Sequence, residues 1–144
     1  MKQAPPRVQR RIGRRTITKK RLQEATVPAA ELARVIIGDD EREHFIALYL
    51  DARNRIKGVS VVSIGTMTAS LVHPREVFRA AVAAGAAAVI IVHNHPSGRA
   101  TPSRQDRGVT RRLIEAGRTL GVEIADHVIV TKDAHFSFRE GGIL

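Results

Sequence analysis

Apolar residues recur along this chain with two different periods, and the period separates strands from helices. Six segments have the composition and length of strands: residues 43–50, 56–64, 68–72, 86–92, 122–130 and 136–138. Residues 86–92 are apolar without alternation, which predicts a strand buried on both faces. The polar residues 52–55 join the first two segments and indicate a hairpin.

Three further segments carry apolar residues three or four positions apart, as the buried face of a helix does. They are predicted to begin at Pro28, Pro74 and Pro102 and to end at Gly38, Gly85 and Gly121. Proline suits the first turn of a helix because its missing N–H would have no partner there, and glycine suits the residue after the last turn. Since helices alternate with strands, the sequence predicts an α/β fold, a layered domain with a mixed sheet.

Composition narrows the class of protein. Hydrophobic residues make up 43% of the 144-residue chain and aromatic residues only 3%, so we expect an aliphatic core. The chain contains no cysteine, which excludes a disulfide scaffold, a cysteine-ligated zinc finger and a cysteine protease. This absence also fits a reducing compartment, for which we expect the cytoplasm. No apolar run reaches about 18 residues, so no membrane span is expected.

The net charge of +10 is concentrated at the start of the chain. Residues 1–21 hold nine of the 24 basic residues and no acid, so the remaining chain is close to neutral. We therefore expect a basic, flexible arm at residues 1–25 and a folded domain at residues 26–144. Residues 1–21 could contact nucleic acid by neutralising phosphates, or could serve only as a solubilising tail. No aromatic residue lies in the arm, which does not favour base stacking.

Candidate chemistry lies where the buried strand ends. His93 and His95 are one residue apart, so their side chains point to the same side of an extended backbone and can bind one metal ion. Asp106 follows at the start of the next helix and can supply a third ligand. Three ligands with an open fourth position are typical of catalytic zinc sites. Ser103 and Asp106 also fit a helix capping box, and the two interpretations are compatible because a helix N-terminus stabilises a carboxylate.

Two motifs follow each other at this point: His93-x-His95-Pro96 and Ser103-x-x-Asp106. Together they resemble the JAMM signature of the JAB/MPN family of zinc metalloproteases. The sequence around them is similar to the RadC-like branch of that family in four places: His73-Pro74-Arg75-Glu76, His93-Asn94-His95-Pro96-Ser97-Gly98, Pro102-Ser103 and Asp126-His127. The resemblance covers about residues 26–144 and implies a single domain with deaminase-like, three-layer α-β-α architecture and a mixed sheet.

The resemblance also implies a ligand set and a base. One zinc ion per chain would be bound by His93, His95 and Asp106. A glutamate on an early strand would move the proton of the attacking water, and Glu43 stands at the matching position. From the residues alone, a surface charge at the entry of a strand is the favoured interpretation of Glu43, and Glu41 is the alternative candidate for the base.

Further residues have implied or open roles. Ser103 would donate a hydrogen bond to the oxyanion, whereas Ser97 is the weaker candidate and more simply shapes its loop. Asp126 and His127 could orient a ligand histidine, or could form a hydrogen-bonded pair within their strand. We expect the remaining histidines to be structural or at the surface: His44, His73 and His135.

The resemblance implies a zinc-dependent metallohydrolase that cleaves a peptide or isopeptide bond, with a ubiquitin-like protein among the candidate partners. The alternative is a non-catalytic accessory domain of the DNA-associated, RadC type that binds nucleic acid through its basic arm.

Overall fold

The computed structural model describes residues 19–65 and 72–144, which form a five-stranded sheet with helices on both faces. The helices of this part are α1 (Lys19–Ile37), α2 (Pro74–Ala83) and α3 (Arg104–Leu120). The strands are β1 (His44–Leu50), β2 (Ile56–Ile64), β3 (Ala88–Asn94), β4 (Glu123–Val130) and β5 (His135–Ser137). Most of the basic arm, and residues 68–71 of the short strand predicted at 68–72, lie outside the described residues.

The sheet is mixed, as predicted. Its strand order is β2-β1-β3-β4-β5, and β3 and β4 are parallel whereas the other neighbours are antiparallel. The connection between the two parallel strands is α3, so the chain leaves the sheet at the end of β3 and re-enters it through a helix. This crossover brings the end of β3 close to the first turn of α3.

Two hydrophobic cores fill the space between the layers. On one face, α1 packs against the sheet through small residues such as Ala29 and Ala33, which share a core with Leu48 of β1. On the other face, α2 and α3 cover side chains such as Tyr49. Because side chains alternate along a strand, neighbouring residues of β1 serve opposite cores. The expected three-layer α-β-α architecture is confirmed.

Helix α1 begins earlier than the sequence pattern predicts. The helix starts at Lys19 instead of Pro28, and Pro28 lies inside it. A proline within a helix removes a backbone hydrogen bond, which is why the pattern favoured a later start. However, Ala25 is buried like Ala29, so the turn before the proline also packs on the sheet. The predicted boundary between residues 25 and 26 falls within this helix.

Candidate metal centre

Three potential metal ligands converge beyond the end of β3. His93 is the next-to-last residue of β3 and faces α3, and His95 follows one residue after the strand. Asp106 is the third residue of α3. Nε2 of His93 lies 3.0 Å from Oδ1 of Asp106, Nε2 of His95 lies 3.1 Å from Oδ2 of Asp106, and the two Nε2 atoms are 3.0 Å apart. These residues could therefore hold a metal ion.

The loop between His95 and α3 brings Asp106 to the histidines. Gly98 has φ = 88°, a left-handed conformation that glycine adopts at little cost, and its N–H donates to the carbonyl of His95. The capping box is also present: the Ser103 hydroxyl accepts from the Asp106 N–H at 3.0 Å, and Asp106 Oδ2 accepts from the Ser103 N–H at 2.7 Å. Asp106 thus caps the helix and faces the histidines at the same time.

The donor set fits a divalent metal of the zinc type. Nδ1 of His95 lies 2.8 Å from the carbonyl oxygen of Arg99, which can only accept, so Nδ1 carries a proton. In the neutral ring, Nε2 then keeps its lone pair toward Asp106. Two imidazole nitrogens and one carboxylate oxygen are a ligand combination that zinc accepts in catalytic sites.

Glu43 directly precedes β1 on the same side of the sheet as the cluster. Phe45 of β1 is paired with His93 of β3, so Glu43, two residues before Phe45, lies at the level of His95. The pKa of His95 is raised chiefly by its contact with Asp106, and the charge of Glu43 adds to this effect. Glu41 is exposed and lines a groove of about 550 Å³ beside His95. The structure thus places Glu43 near the cluster and Glu41 in the wall of the adjacent groove.

Asn94 was not singled out by the sequence analysis, yet it fixes the backbone around Glu43. Its Oδ1 accepts from the N–H of His44 at 2.6 Å, and its Nδ2 donates to the carbonyl of Arg42 at 3.0 Å. These two hydrogen bonds hold the backbone in place on both sides of Glu43. The signal in the sequence was a polar residue between two histidines, just after an apolar strand segment.

The pair Asp126 and His127 is divided between the two faces of β4. His127 turns toward the cluster, where its Nε2 lies 2.8 Å from Nδ1 of His93. Its Nδ1 forms a short hydrogen bond with the Thr110 hydroxyl of α3. Asp126 accepts from the backbone N–H of His127 but lies on the α1 side, where it also accepts from Thr26. Thr110 was missed because its position facing His127 depends on tertiary packing.

The other histidines have structural or surface positions, as expected. His44 is buried with its Nδ1 2.8 Å from the carbonyl of Arg42, and His73 caps α2 by accepting from the N–H of Arg75. His135 is exposed at the start of β5. Ser97 accepts from the N–H of Arg99, which supports its role in shaping the loop.

Comparison with known families agrees with this geometry. A model of the RadC-like JAB domain matches residues 17–143 of the chain. The chain belongs to the RadC-like JAB domain family. The resemblance deduced from the two motifs is thereby confirmed, and the α/β fold with its mixed sheet is consistent with a JAB domain.

Several curated relatives carry the name UPF0758 protein. One from Symbiobacterium thermophilum is 55% identical over 102 residues, which is 71% of this chain and 44% of the relative. One from Rubrobacter xylanophilus is 50% identical over 113 residues, 78% of this chain and 49% of the relative. One from Methanosarcina mazei is 48% identical over 106 residues, 74% and 46% of the two chains. The chain spans about half the length of the relatives it matches, and their names state no reaction.

The electrostatics of this RadC-like JAB domain favour an ionised carboxylate among the histidines. Burial opposes ionisation of Asp106, but the contacts of its carboxylate with the His93 and His95 rings outweigh it and hold the Asp106 pKa far below its usual range. The same contact with Asp106 raises the pKa of His95. Burial and the neighbouring His93 lower the pKa of His127 well below its ordinary value, so its ring is neutral.

Among the described helices, none has the length and apolar character needed to cross a bilayer.

Proposed function

We propose that this RadC-like JAB domain is a zinc-dependent hydrolase that cleaves a peptide or isopeptide bond. One zinc ion per chain would be held by His93, His95 and Asp106. The observation that carries the proposal is the convergence of their three donor atoms within 4.8 Å at the end of a buried strand. Zinc supplies Lewis-acid activation of a water molecule and of the scissile carbonyl.

The chain's own residues would move the proton and stabilise the developing charge. Glu43 accepts the proton of the attacking water and returns it to the leaving amine. Asn94 keeps Glu43 in place through its bonds to the backbone on either side. The Ser103 hydroxyl accepts one bond from Asp106 and retains its own proton, which it donates to the oxyanion. Loss of a single oxyanion donor typically costs about 2.7–4 kcal/mol of transition-state stabilisation.

The substrate would be a polypeptide, including a conjugate to a ubiquitin-like protein. The groove beside His95 offers room for a substrate segment next to the candidate ligands. The chain has no cysteine, which supports a site of action in a reducing compartment such as the cytoplasm.

Metal content measured by mass spectrometry tests the proposal. We expect about one zinc ion per wild-type chain, its loss in His95→Ala, and its retention in the control His135→Ala, which removes an exposed histidine from β5. Wild-type protein that binds no zinc when zinc is supplied would refute the site. Glu43→Gln is expected to keep the metal and to lose peptide hydrolysis; hydrolysis at the wild-type rate would refute the assignment of the base.

A second candidate function, contact with nucleic acid, is favoured by the surface of α3 as well as by the basic arm. Four exposed arginines fall within a sector of about 60° on this helix and extend over about 21 Å: Arg104, Arg107, Arg111 and Arg118. Within the described part of the chain, none of them lies at ion-pair distance from a carboxylate. A row of unpaired guanidinium groups suits the phosphates of a nucleic-acid backbone.

Binding of the full chain to a DNA duplex, measured by fluorescence anisotropy over a range of salt, tests this second candidate. The double variant Arg107→Gln/Arg111→Gln should bind more weakly, and the slope of log affinity against log salt should become shallower by about 1.8. The control Arg75→Gln/Arg79→Gln removes the same charge from arginines that already contact Glu76. Equal slopes for the two double variants would exclude the α3 surface.

A further inference from the structure

We infer that Thr110 and His127 are positioning residues that determine which nitrogen of His93 carries the proton, and so keep its Nε2 lone pair available to a metal ion. The inference rests on the proposed metal site. Thr110 and His127 are not among the three candidate ligands. Thr110 lies on α3, His127 on β4, and the ligand that they act on, His93, on β3.

The direction of the hydrogen bonds begins at Thr110. Its hydroxyl lies 2.8 Å from the backbone carbonyl of Asp106, one turn earlier in α3. A carbonyl oxygen can only accept, so the single hydroxyl proton of Thr110 is directed to it. The same hydroxyl oxygen is in hydrogen-bond contact with Nδ1 of His127. Because its proton is already committed, Thr110 accepts there, and Nδ1 of His127 must carry a proton.

The second step passes through the ring of His127. This ring is 1% exposed and stacks on Phe138, with the centroids 4.5 Å apart and an angle of 12° between the planes. An apolar enclosure of this kind disfavours a charged ring. With one proton, on Nδ1, Nε2 of His127 is an acceptor. Nδ1 of His93, 2.8 Å away, must therefore donate to it.

The last step places the lone pair. A histidine that binds a metal ion must be neutral, and in the neutral His93 ring the proton on Nδ1 leaves the lone pair on Nε2, the atom that faces Asp106. His95 reaches the same state differently, because its Nδ1 donates directly to a backbone carbonyl. No side-chain substitution removes that carbonyl. The tautomer of His93, in contrast, depends on two side chains and can be changed by mutation.

Thr110→Val is the sharpest perturbation because valine has nearly the shape of threonine but no acceptor. Nδ1 of His127 would then lose its partner, and the proton would be better placed on Nε2, where it can donate to His93. Nδ1 of His93 would become the acceptor, and the His93 proton would move to Nε2, toward the ligand position. We expect zinc affinity to fall by about 10- to 100-fold. Thr110→Ser keeps the hydroxyl and should bind zinc with wild-type affinity.

Two measurements separate this role from a purely structural one. Long-range proton–nitrogen NMR correlations on metal-free, nitrogen-15-labelled protein report the tautomer of each histidine in mildly alkaline buffer. Competition with a chromophoric chelator reports zinc affinity. The matched control is Thr26→Val, since Thr26 is also a buried threonine that donates at 2.8 Å, but to Asp126 on the opposite face of the sheet. Thr26→Val should change neither the tautomer nor the zinc affinity by more than about twofold.

The outcomes are distinct. If Nδ1 of His93 carried no proton in the wild-type protein, the inference would be overturned without any variant. It would also be overturned if Thr110→Val lowered zinc affinity while the His93 tautomer stayed unchanged, or if Thr110→Val behaved like Thr26→Val. If the tautomer switches as expected but the wild-type protein binds no zinc, the proposed function fails while the role of Thr110 stands.

Discussion

Substitution of Asp126 tests how the α1 layer is joined to the sheet. This carboxylate is fully buried on the α1 side of β4. Its Oδ2 accepts from the hydroxyls of Thr26 at 2.8 Å and Ser137 at 2.5 Å, and its Oδ1 accepts from the backbone N–H groups of His127 at 2.8 Å and Arg139 at 3.0 Å. One side chain therefore connects α1, β4, β5 and the segment after β5.

The expected cost of Asp126→Ala follows from these four bonds. The two hydroxyls can turn toward other acceptors, but the N–H groups of His127 and Arg139 would lose their bonds. A buried donor left without a partner costs about 1–3 kcal/mol, which gives about 2–6 kcal/mol for the pair. Removing the desolvated charge offsets part of this, so we expect a loss of about 3 kcal/mol in the free energy of unfolding. Asp126→Asn keeps an acceptor at Oδ1 and should cost about 1 kcal/mol.

Urea unfolding of the metal-free protein, followed by far-ultraviolet circular dichroism, measures these differences. The urea midpoint should fall while the slope of the unfolding free energy against urea concentration stays unchanged. In thermal unfolding of a chain of this size, a loss of 3 kcal/mol should lower Tm by about 12 °C. If Asp126→Asn destabilised the protein as much as Asp126→Ala, the charge and not the acceptor geometry would be responsible. A loss below about 1 kcal/mol for the alanine variant would refute the argument from unsatisfied donors.

Two further predictions concern pH and packing. Because burial lowers the pKa of His127, the unfolded state binds the extra proton near and below pH 6.5, and this contribution to stability is lost as the pH falls. The raised pKa of His95 acts in the opposite direction, so the test compares urea midpoints of metal-free His95→Ala at pH 7.5 and 5.5, where equal midpoints would contradict the expected loss. The lowered pKa of Asp106 acts in the same direction as that of His127 below pH 3.8. Gly117→Ala would place Cβ 2.2 Å from the carbonyl oxygen of Val122 and should destabilise the protein by about 2 kcal/mol or more. In Gly108→Ala, on the same helix, the added Cβ meets nothing within 4 Å, so this variant should be more stable than the wild type by about 0.5–1 kcal/mol. Similar Tm values for these two variants would refute the packing argument.

The parts of the fold that the sequence predicted well are those with local signals. The β3 strand follows from an uninterrupted apolar run, and α3 is bounded by Ser103 as its N-cap and by Gly121 in the left-handed conformation at its end. The predicted start of α1 at Pro28 was wrong because proline is a strong local signal against a helix interior. Burial of the turn before it, around Ala25, is a tertiary effect that no local pattern contains.

The candidate site divides in the same way. His93 and His95 were expected on one side because strand side chains alternate, and Asp106 was expected near them because a helix begins after a short loop. The structure brings these three together, while their role as ligands stays a prediction. His127 reaches His93 only through the parallel pairing of β4 with β3, in which it stands opposite Ile91. That register joins segments more than 30 residues apart, so the sequence left the role of His127 open.

The two faces of β4 separate the stability of the fold from the geometry of the site. Asp126 and His127 are adjacent, and the alternation of side chains sends the first to α1 and the second to His93. Loss of the Thr26 hydroxyl removes a hydrogen bond to Asp126 on the α1 face of β4. Loss of the Thr110 hydroxyl removes the partner of His127 on the opposite face. If β4 transmitted strain between its faces, both substitutions would alter zinc affinity. We expect only Thr110→Val to do so, because the tautomer of His93 is determined by hydrogen-bond direction and not by the stability of the sheet.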